Sequence, residues 1–315
     1  MRIGILSQNQ ALYSTRKLME VSAQRGHDVV VLETTAVSVE ISNQPTDTIK
    51  LIRNVPMFTP NFERTAVAYL PPVDVIIPRI GASITDYGLA VVRQFEARGV
   101  ITAASSDGIA SSRNKLHSLQ LMASAGLPIP KTAVVGQKKA LATAVAAVGG
   151  TPVIIKIIQG TQGQGVILAK NMATAAAVAD KLHRLRQQIL VQEYIETNGR
   201  DWRIFVVGDR CVAAMERRAP AGEYRANLHR GGTAVPLNLD AETQALALHA
   251  AKVHNLAVAG VDIIQSPGGP LVLEVNSSPG LEGIEQTTQI NVAEAIIAYL
   301  EEQFRTTGSK RPSSV

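Results

Sequence analysis

A single cysteine, Cys211, stands in 315 residues, which excludes an internal disulfide and a cysteine-built metal cage and fits a reducing compartment. Aromatic residues make up only 4%, and no run of Lys/Arg is interleaved with them, so the stacking platforms of single-strand nucleic-acid binders are missing. Long hydrophobic runs are also missing. Val29–Leu32 and Val75–Ile77 are strand-sized, far below the roughly 18 residues of a membrane span. The opening Met1-Arg2-Ile3-Gly4-Ile5-Leu6-Ser7 passes from a short apolar run straight into polar residues, without the longer core and small-residue cleavage site of a signal peptide. The expectation is a cytoplasmic protein with no membrane and no direct nucleic-acid partner.

What is present is a globular composition, 46% hydrophobic and 18% charged, with a net charge of +5. That modest excess favours phosphates and carboxylates of small or flexible ligands. Residues 1–105 alternate strand and helix signals. Arg2–Leu6 is apolar, a helical stretch covers Tyr13–Arg25, Asp28–Leu32 and Val73–Pro78 are apolar again, and Tyr87–Arg98 is helical. This predicts a Rossmann-like α/β domain with a parallel sheet. A helix over Arg113–Ala125, stopped by Gly126 and Pro128, opens a second unit at 106–190. From Thr151 strands arrive in pairs joined by Gly-rich turns, with helices over Ala173–Gln187 and Ala241–Asn255. Antiparallel sheets are therefore expected in 106–190 and 191–302, followed by a flexible tail at 303–315.

The segment Pro152 to Ala169 holds Lys156 inside an apolar run and glycines at 160, 163 and 165. A dinucleotide fingerprint needs its glycines to open a helix, and a Walker loop needs a lysine after the last one. Here Gly165 leads into Val166-Ile167-Leu168, so the glycines turn a hairpin. Its backbone N–H groups are free to approach a phosphate. Lys156 lies on the strand face that points toward this turn, where a triphosphate would neutralise it. A lysine that snorkels to water from an edge strand is the plainer alternative.

A second hairpin, Ala259 to Asn276, folds about Gly268, which sets Asp262 opposite Glu274 with Asn276 on the same face. Opposed like charges destabilise a hairpin unless something cationic lies between them. Oxygen donors without Cys or His point to Mg²⁺ or Mn²⁺. Arg203 lies on a strand with Asp201 and Phe205; its guanidinium needs an anion, either a ligand or Asp201 itself. Glu216-Arg217-Arg218 and Arg225-Ala226-Asn227 add further cations. No Ser/His/Asp or Cys/His arrangement is present.

These elements, in this order, resemble the ATP-grasp superfamily. Within it, Pro78-Arg79-Ile80-Gly81, Arg113-Asn114-Lys115, the glycine hairpin, Asn227 to Gly232 and Glu274-Val275-Asn276-Ser277-Ser278-Pro279-Gly280 resemble RimK-type ligases. The resemblance implies an α/β pre-ATP-grasp domain followed by α+β ATP-grasp domains. It implies that Lys115 and Lys156 contact ATP phosphates, Glu193 and Tyr194 lie along the adenine, Asp201 takes the ribose, and Arg225, Ala226 and Asn227 complete the nucleotide site. Ala226 stands where relatives carry Ser, which leaves only a backbone contact. Asp262, Glu274 and Asn276 would hold two Mg²⁺ or Mn²⁺ ions, with Arg203 and Arg217 as the catalytic cations. The implied activity is ATP-dependent addition of glutamate to the C-terminal tail of a ribosomal protein through an acyl phosphate, by a homo-oligomer. A ligase making a small glutathione-like peptide and a non-catalytic nucleotide-binding regulator are the alternatives.

Overall fold

The computed structural model describes residues 1–39, 51–59, 62–69, 72–158, 165–226, 228 and 231–308. The chain opens with β1 (Arg2–Leu6), α1 (Tyr13–Gln24), β2 (Asp28–Leu32), β3 (Val37–Val39), β4 (Leu51–Thr59), β5 (Phe62–Tyr69), β6 (Val75–Pro78), α2 (Thr85–Ala97) and β7 (Ile101–Thr102). Strands β2-β1-β6-β7 form a parallel sheet. Ile3, Ile5, Leu6 and Ile76 are fully buried, because helices on both faces demand an apolar run rather than an alternating one. A separate antiparallel sheet, β3-β4-β5, inserts between β2 and β6. The strand–helix alternation expected over 1–105 did not include it.

The second unit holds α3 (Ser106–Arg113), α4 (Lys115–Ser124), β8 (Thr132–Val135), α5 (Leu141–Ala147), β9 (Val153–Ile157), β10 (Val166–Ala169), α6 (Met172–Arg184) and β11 (Ile189–Glu193). Its sheet, in the order β10-β9-β11-β8, is antiparallel throughout. The single helix expected over Arg113–Ala125 is two helices. Asn114 leaves helical geometry, and its side chain accepts from the His117 N–H as an N-cap. Asparagine favours that role over a helix interior. The break makes Lys115 the first residue of α4, its N–H 3.3 Å from the Ile158 carbonyl at the end of β9.

The last unit comprises β12 (Arg200–Val207), β13 (Arg210–Arg218), β14 (Thr233–Pro236), α7 (Ala241–Val253), β15 (Val258–Ser266), β16 (Gly269–Asn276), α8 (Glu282–Thr288) and α9 (Val292–Gly308). Its antiparallel sheet runs β14-β13-β12-β15-β16. One face buries Ile204, Val261, Ile263, Val272 and Val275 together with Ala247, Ala250 and Ala251 of α7. The other buries Phe205 and Met215 with Ile296, Ile297 and Leu300 of α9. Both cores continue into the N-terminal sheet, through Leu6 and Ile76 on one side and Ile3 and Ile5 on the other. The central sheet keeps a core of its own around Val153, Ile155, Ala175 and Val191. Since α9 reaches Gly308, residues 303–308, expected in the tail, are helical. Among the described residues no helix is long and apolar enough to cross a membrane.

Candidate functional site

The site lies on the β12–β15–β16 face that buries Phe205 and Met215, around Arg203, Asp262 and Glu274. Asp262 stands opposite Glu274 in the β15–β16 register, as expected, although the turn is not centred where the arithmetic put it. Ser266 pairs with Gly269 and Ile263 with Val272, so the fold-back lies between Pro267 and Gly268. A β-bulge at Leu273 then shifts the register by one residue and restores the Asp262–Glu274 pair. Without it Asp262 would face Leu273, and Glu274 would point into the core. The bulge turns Leu273 and Glu274 toward one small cavity of about 20 Å³, lined also by Ser112, Lys115, Ser118, Leu119 and Lys156. Bulges commonly re-aim side chains in this way beside functional sites.

Lys156 comes from the central sheet, paired with Val166 on one side and Leu190 on the other. Desolvation pushes its ammonium down to about 8, with Lys115 pushing the same way and Glu274 and Asp262 pulling back. No hydrogen bond or ion pair from the Lys156 side chain to any other described residue forms, so the snorkelling alternative, in which water satisfies it fully, does not match its desolvation. Gly165 closes the hairpin. It has φ +72°, and a Cβ there would lie 2.5 Å from Ile157 Cγ1, so only glycine fits. Gly160 and Gly163 lie outside the described residues, as do Asn227, His229 and Arg230.

Beside Glu274 lies a four-membered ion network. Arg203 binds both oxygens of Asp262, through Nε and through Nη2 at 2.7 Å. Arg217 binds both oxygens of Asp201 at 2.6 and 2.8 Å, and reaches Asp262 at 3.1 Å. The alternative in which Arg203 bridges to Asp201 is thus replaced by two cross-strand pairs. Arg203 stands opposite Asp262 and Asp201 opposite Arg217 in the register, and directly opposed residues meet at shorter range than i,i+2 neighbours on one strand. Burial would raise the Asp262 carboxyl, but Arg203 and Arg217 outweigh it and hold it below the usual range. Burial wins at Asp201, aided by the charge on Asp262, and raises it. The cation required between Asp262 and Glu274 is therefore supplied in part by the protein's own arginines.

Of the other expected nucleotide contacts, Glu193 ends β11 and accepts from the Lys131 N–H at 2.7 Å. Tyr194 donates to Glu196 at 3.1 Å. Arg225 pairs with Glu223 at 2.7 Å and stands over the Tyr224 ring, while Ala226 is buried. Tyr224 was not expected. Its hydroxyl donates to the Val166 carbonyl at 2.8 Å and accepts from Leu168 N–H at 3.2 Å, which ties the loop after β13 to the edge of β10. A tyrosine between a Glu and an Arg carries no sequence signal for that bond.

The fit to ATP and a divalent ion rests on Lys156, Glu274 and Asn276. Lys156 and Lys115 repel each other, and a desolvated ammonium is costly without an anion. Glu274 forms no hydrogen bond or ion pair with another described residue, and Asn276 commits only its amide nitrogen, to Gly260. Among the described residues no cluster of three His, Cys, Asp or Glu forms a protein-only cage. Mg²⁺ takes one or two carboxylates and completes its shell with phosphate and water. Asp262 enters such a shell only by sharing its oxygens with Arg203 and Arg217.

Comparison with known proteins places the fold in a family. Residues 112–300 match the RimK-like ATP-grasp domain, and residues 1–57 and 63–109 the RimK PreATP-grasp domain. A probable alpha-L-glutamate ligase 1 from Shewanella denitrificans is 47% identical over 302 residues, covering 96% of this chain and 97% of that one. A probable alpha-L-glutamate ligase from Ectopseudomonas mendocina is 46% identical over 314 residues, covering 98% and 99%. Among solved structures, the macrocyclase MdnC of Microcystis aeruginosa, bound with its precursor peptide, superposes with a TM-score of 0.71 at 16% identity, over 96% of this chain and 100% of that one; at that identity the likeness concerns the fold alone. The chain belongs to the RimK-like ATP-grasp family and is an ATP-dependent ligase.

Proposed function

We propose that the protein joins glutamate to the C-terminal carboxylate of an acceptor protein, a ribosomal protein tail, in the cytoplasm. The observation that carries the reading is the uncommitted pair of charges at the hairpin ends: the desolvated, unpartnered Lys156 facing the uncommitted oxygens of Glu274. The names of the relatives support glutamate as the amino acid.

The acceptor carboxylate takes the γ-phosphoryl group of ATP, forming an acyl phosphate and ADP. The amine of glutamate then attacks the acyl carbon; phosphate leaves, and the amine proton goes to solvent. Chemistry of this kind asks for positioning and charge stabilisation rather than a protein nucleophile. Lys156 and Lys115 would hold phosphate oxygens. Glu193 and Tyr194 would flank the adenine, and the 225–227 segment would close over the nucleotide. Asp201 would reach a ribose only while sharing its oxygens with Arg217. Glu274 and Asn276, with Asp262, would hold Mg²⁺ or Mn²⁺, which neutralises charge on the transferred group when bound. Arg203 and Arg217 preset the charge around Asp262.

The test is incubation of the protein with ATP, Mg²⁺, each amino acid in turn and ribosomal proteins, read by intact mass. Glutamyl additions to a protein tail are expected with glutamate in preference to glutamine. Their rate should fall as salt rises, because an acidic tail is drawn in by screened charge. ATP turnover with free amino acids but no mass gain on any protein would transfer the reading to a small-peptide ligase.

A further inference from the structure

Three buried or half-buried arginines have their charge answered: Arg203 and Arg217 by carboxylates, and Arg113 by the carbonyls of Ile80 and Gly81 and the Thr85 hydroxyl. Arg79 does not. Its guanidinium forms no hydrogen bond or ion pair with another described residue. Burial pushes it down to about 10, and the charge of Arg113 pushes the same way. A desolvated cation beside a second cation is unfavourable unless an anion visits.

Its place in the fold says where that anion would come from. Arg79 directly follows β6, and its N–H donates to the Leu6 carbonyl at the end of β1 at 2.8 Å. From β1 the chain passes through α1 to β2 on one side, whereas from β6 it passes through α2 to β7 on the other. The ends of β1 and β6 therefore flank the point where strand order reverses, which is where open α/β sheets admit ligands.

The segment is also held rigid. Arg113 clamps residues 80–85, and Ile80 fits against α2 at Gly88, where a Cβ would lie 2.5 Å from Ile80 Cγ2. Across the crevice, Ser278 donates to the Pro78 carbonyl at 3.3 Å. Pro279 and the Arg203 stem together fill the space over Gly260. The turn that follows Asn276 thus connects the Arg79 strand end to the side of the ion network.

We propose that Arg79 binds the side-chain carboxylate of the incoming amino acid and so selects glutamate; this rests on the function proposed above. The attacking amine and its α-carboxylate share one carbon, so both stay beside the reacting acyl group on the β15–β16 side. The side-chain carboxylate lies three carbons further out, and Arg79 follows the strand end to which the Ser277–Pro279 turn is tied through Ser278. A guanidinium offers a carboxylate two parallel bonds that an amide cannot accept in the same way. Sites that hydrogen-bond a substrate group discriminate strongly against analogues that lack it.

The test compares kcat/KM for glutamate and for glutamine, with a protein or peptide acceptor, in the wild type, Arg79→Gln and Arg79→Lys. The expected result is a fall of tenfold or more in the glutamate-to-glutamine ratio in Arg79→Gln and a smaller fall in Arg79→Lys, with KM for ATP moving less than twofold in both. Retention of the wild-type ratio in both variants overturns the assignment while leaving the ligase intact. An equal loss for both amino acids also overturns it, since that marks an α-carboxylate contact or a structural role. A wild type that makes no amide with glutamate fails the proposed function instead, a distinct outcome.

Discussion

Replacing Lys156 by methionine should raise the stability of the nucleotide-free protein while abolishing its response to ATP. The folded chain holds the ammonium at about 8 instead of its ordinary 10.5, chiefly through desolvation. At pH 7 the lysine is charged in both folded and unfolded chains, so the folded state carries the full penalty. At 1.36 kcal/mol per pH unit that penalty is at most about 3 kcal/mol, less whatever the partly exposed side chain recovers from water. Methionine keeps the length without the charge. The variant should therefore melt higher, by roughly 5–10 °C if each kcal/mol is worth about 2–4 °C in a chain of this size.

The difference has a defined pH window. Above about pH 8 the folded lysine releases its proton while the unfolded one keeps it until about 10.5, so wild-type stability rises with pH there. The gap between variant and wild type should close across that window. ATP with Mg²⁺ should raise the melting temperature of the wild type and not of the variant, because the phosphates supply the missing counter-charge. Differential scanning fluorimetry from pH 6.5 to 10, with and without nucleotide, reads all of this. A Lys156→Met protein that melts below the wild type at pH 7, or that still responds to ATP, would refute the reasoning.

Glu274→Gln should fold and bind ATP, but the part of the ATP-induced melting shift that depends on Mg²⁺ should vanish; a Mg²⁺ increment equal to that of the wild type excludes Glu274 as a ligand. Arg217→Met should destabilise by about 3–5 kcal/mol, since it strands the buried Asp201 carboxylate and takes one of two arginines from Asp262. That deficit should shrink from pH 7 to pH 5 as Asp201, already raised by burial, takes up a proton, and urea titrations at the two pH values measure it.

The elements that were legible in the sequence are those whose local signal and tertiary role agree. The apolar runs of β1, β2 and β6 read as buried parallel strands, and the glycines after Lys156 read as a hairpin because a strand follows Gly165. The Asp262–Glu274 pairing was legible for a reason the structure amends. A turn centred on Gly268 predicts it directly, whereas the chain reaches it through a Pro267-Gly268 turn and a bulge at Leu273 whose effects cancel. Bulges leave little trace in composition. The ion network escaped for a related reason. Pairing Arg203 with Asp262 and Asp201 with Arg217 requires knowing that β12 lies between β13 and β15, which no local pattern reports. The β3-β4-β5 sheet escaped because its strands break the strand–helix alternation that made the rest of the N-terminal domain readable.

Charge is distributed over the site in two distinct ways, and the distinction separates scaffold from binding groups. Arg203, Arg217, Asp201 and Asp262 sum to zero within one buried network. Such a network stays fixed without a ligand, because removing any member exposes an unpaired charge to a low-dielectric interior. Lys156 and Arg79 are the opposite case. Each is desolvated, unpartnered and lowered in pKa, and each lies at or near the end of a strand, Lys156 in the central sheet and Arg79 in the N-terminal one. The ligand-free protein therefore bears the desolvation of those two cations. That cost is returned when anions arrive, triphosphate at one cation and carboxylate at the other. Each substrate then releases the binding energy of its own cation, so ATP and the amino acid are seated separately around a fixed network.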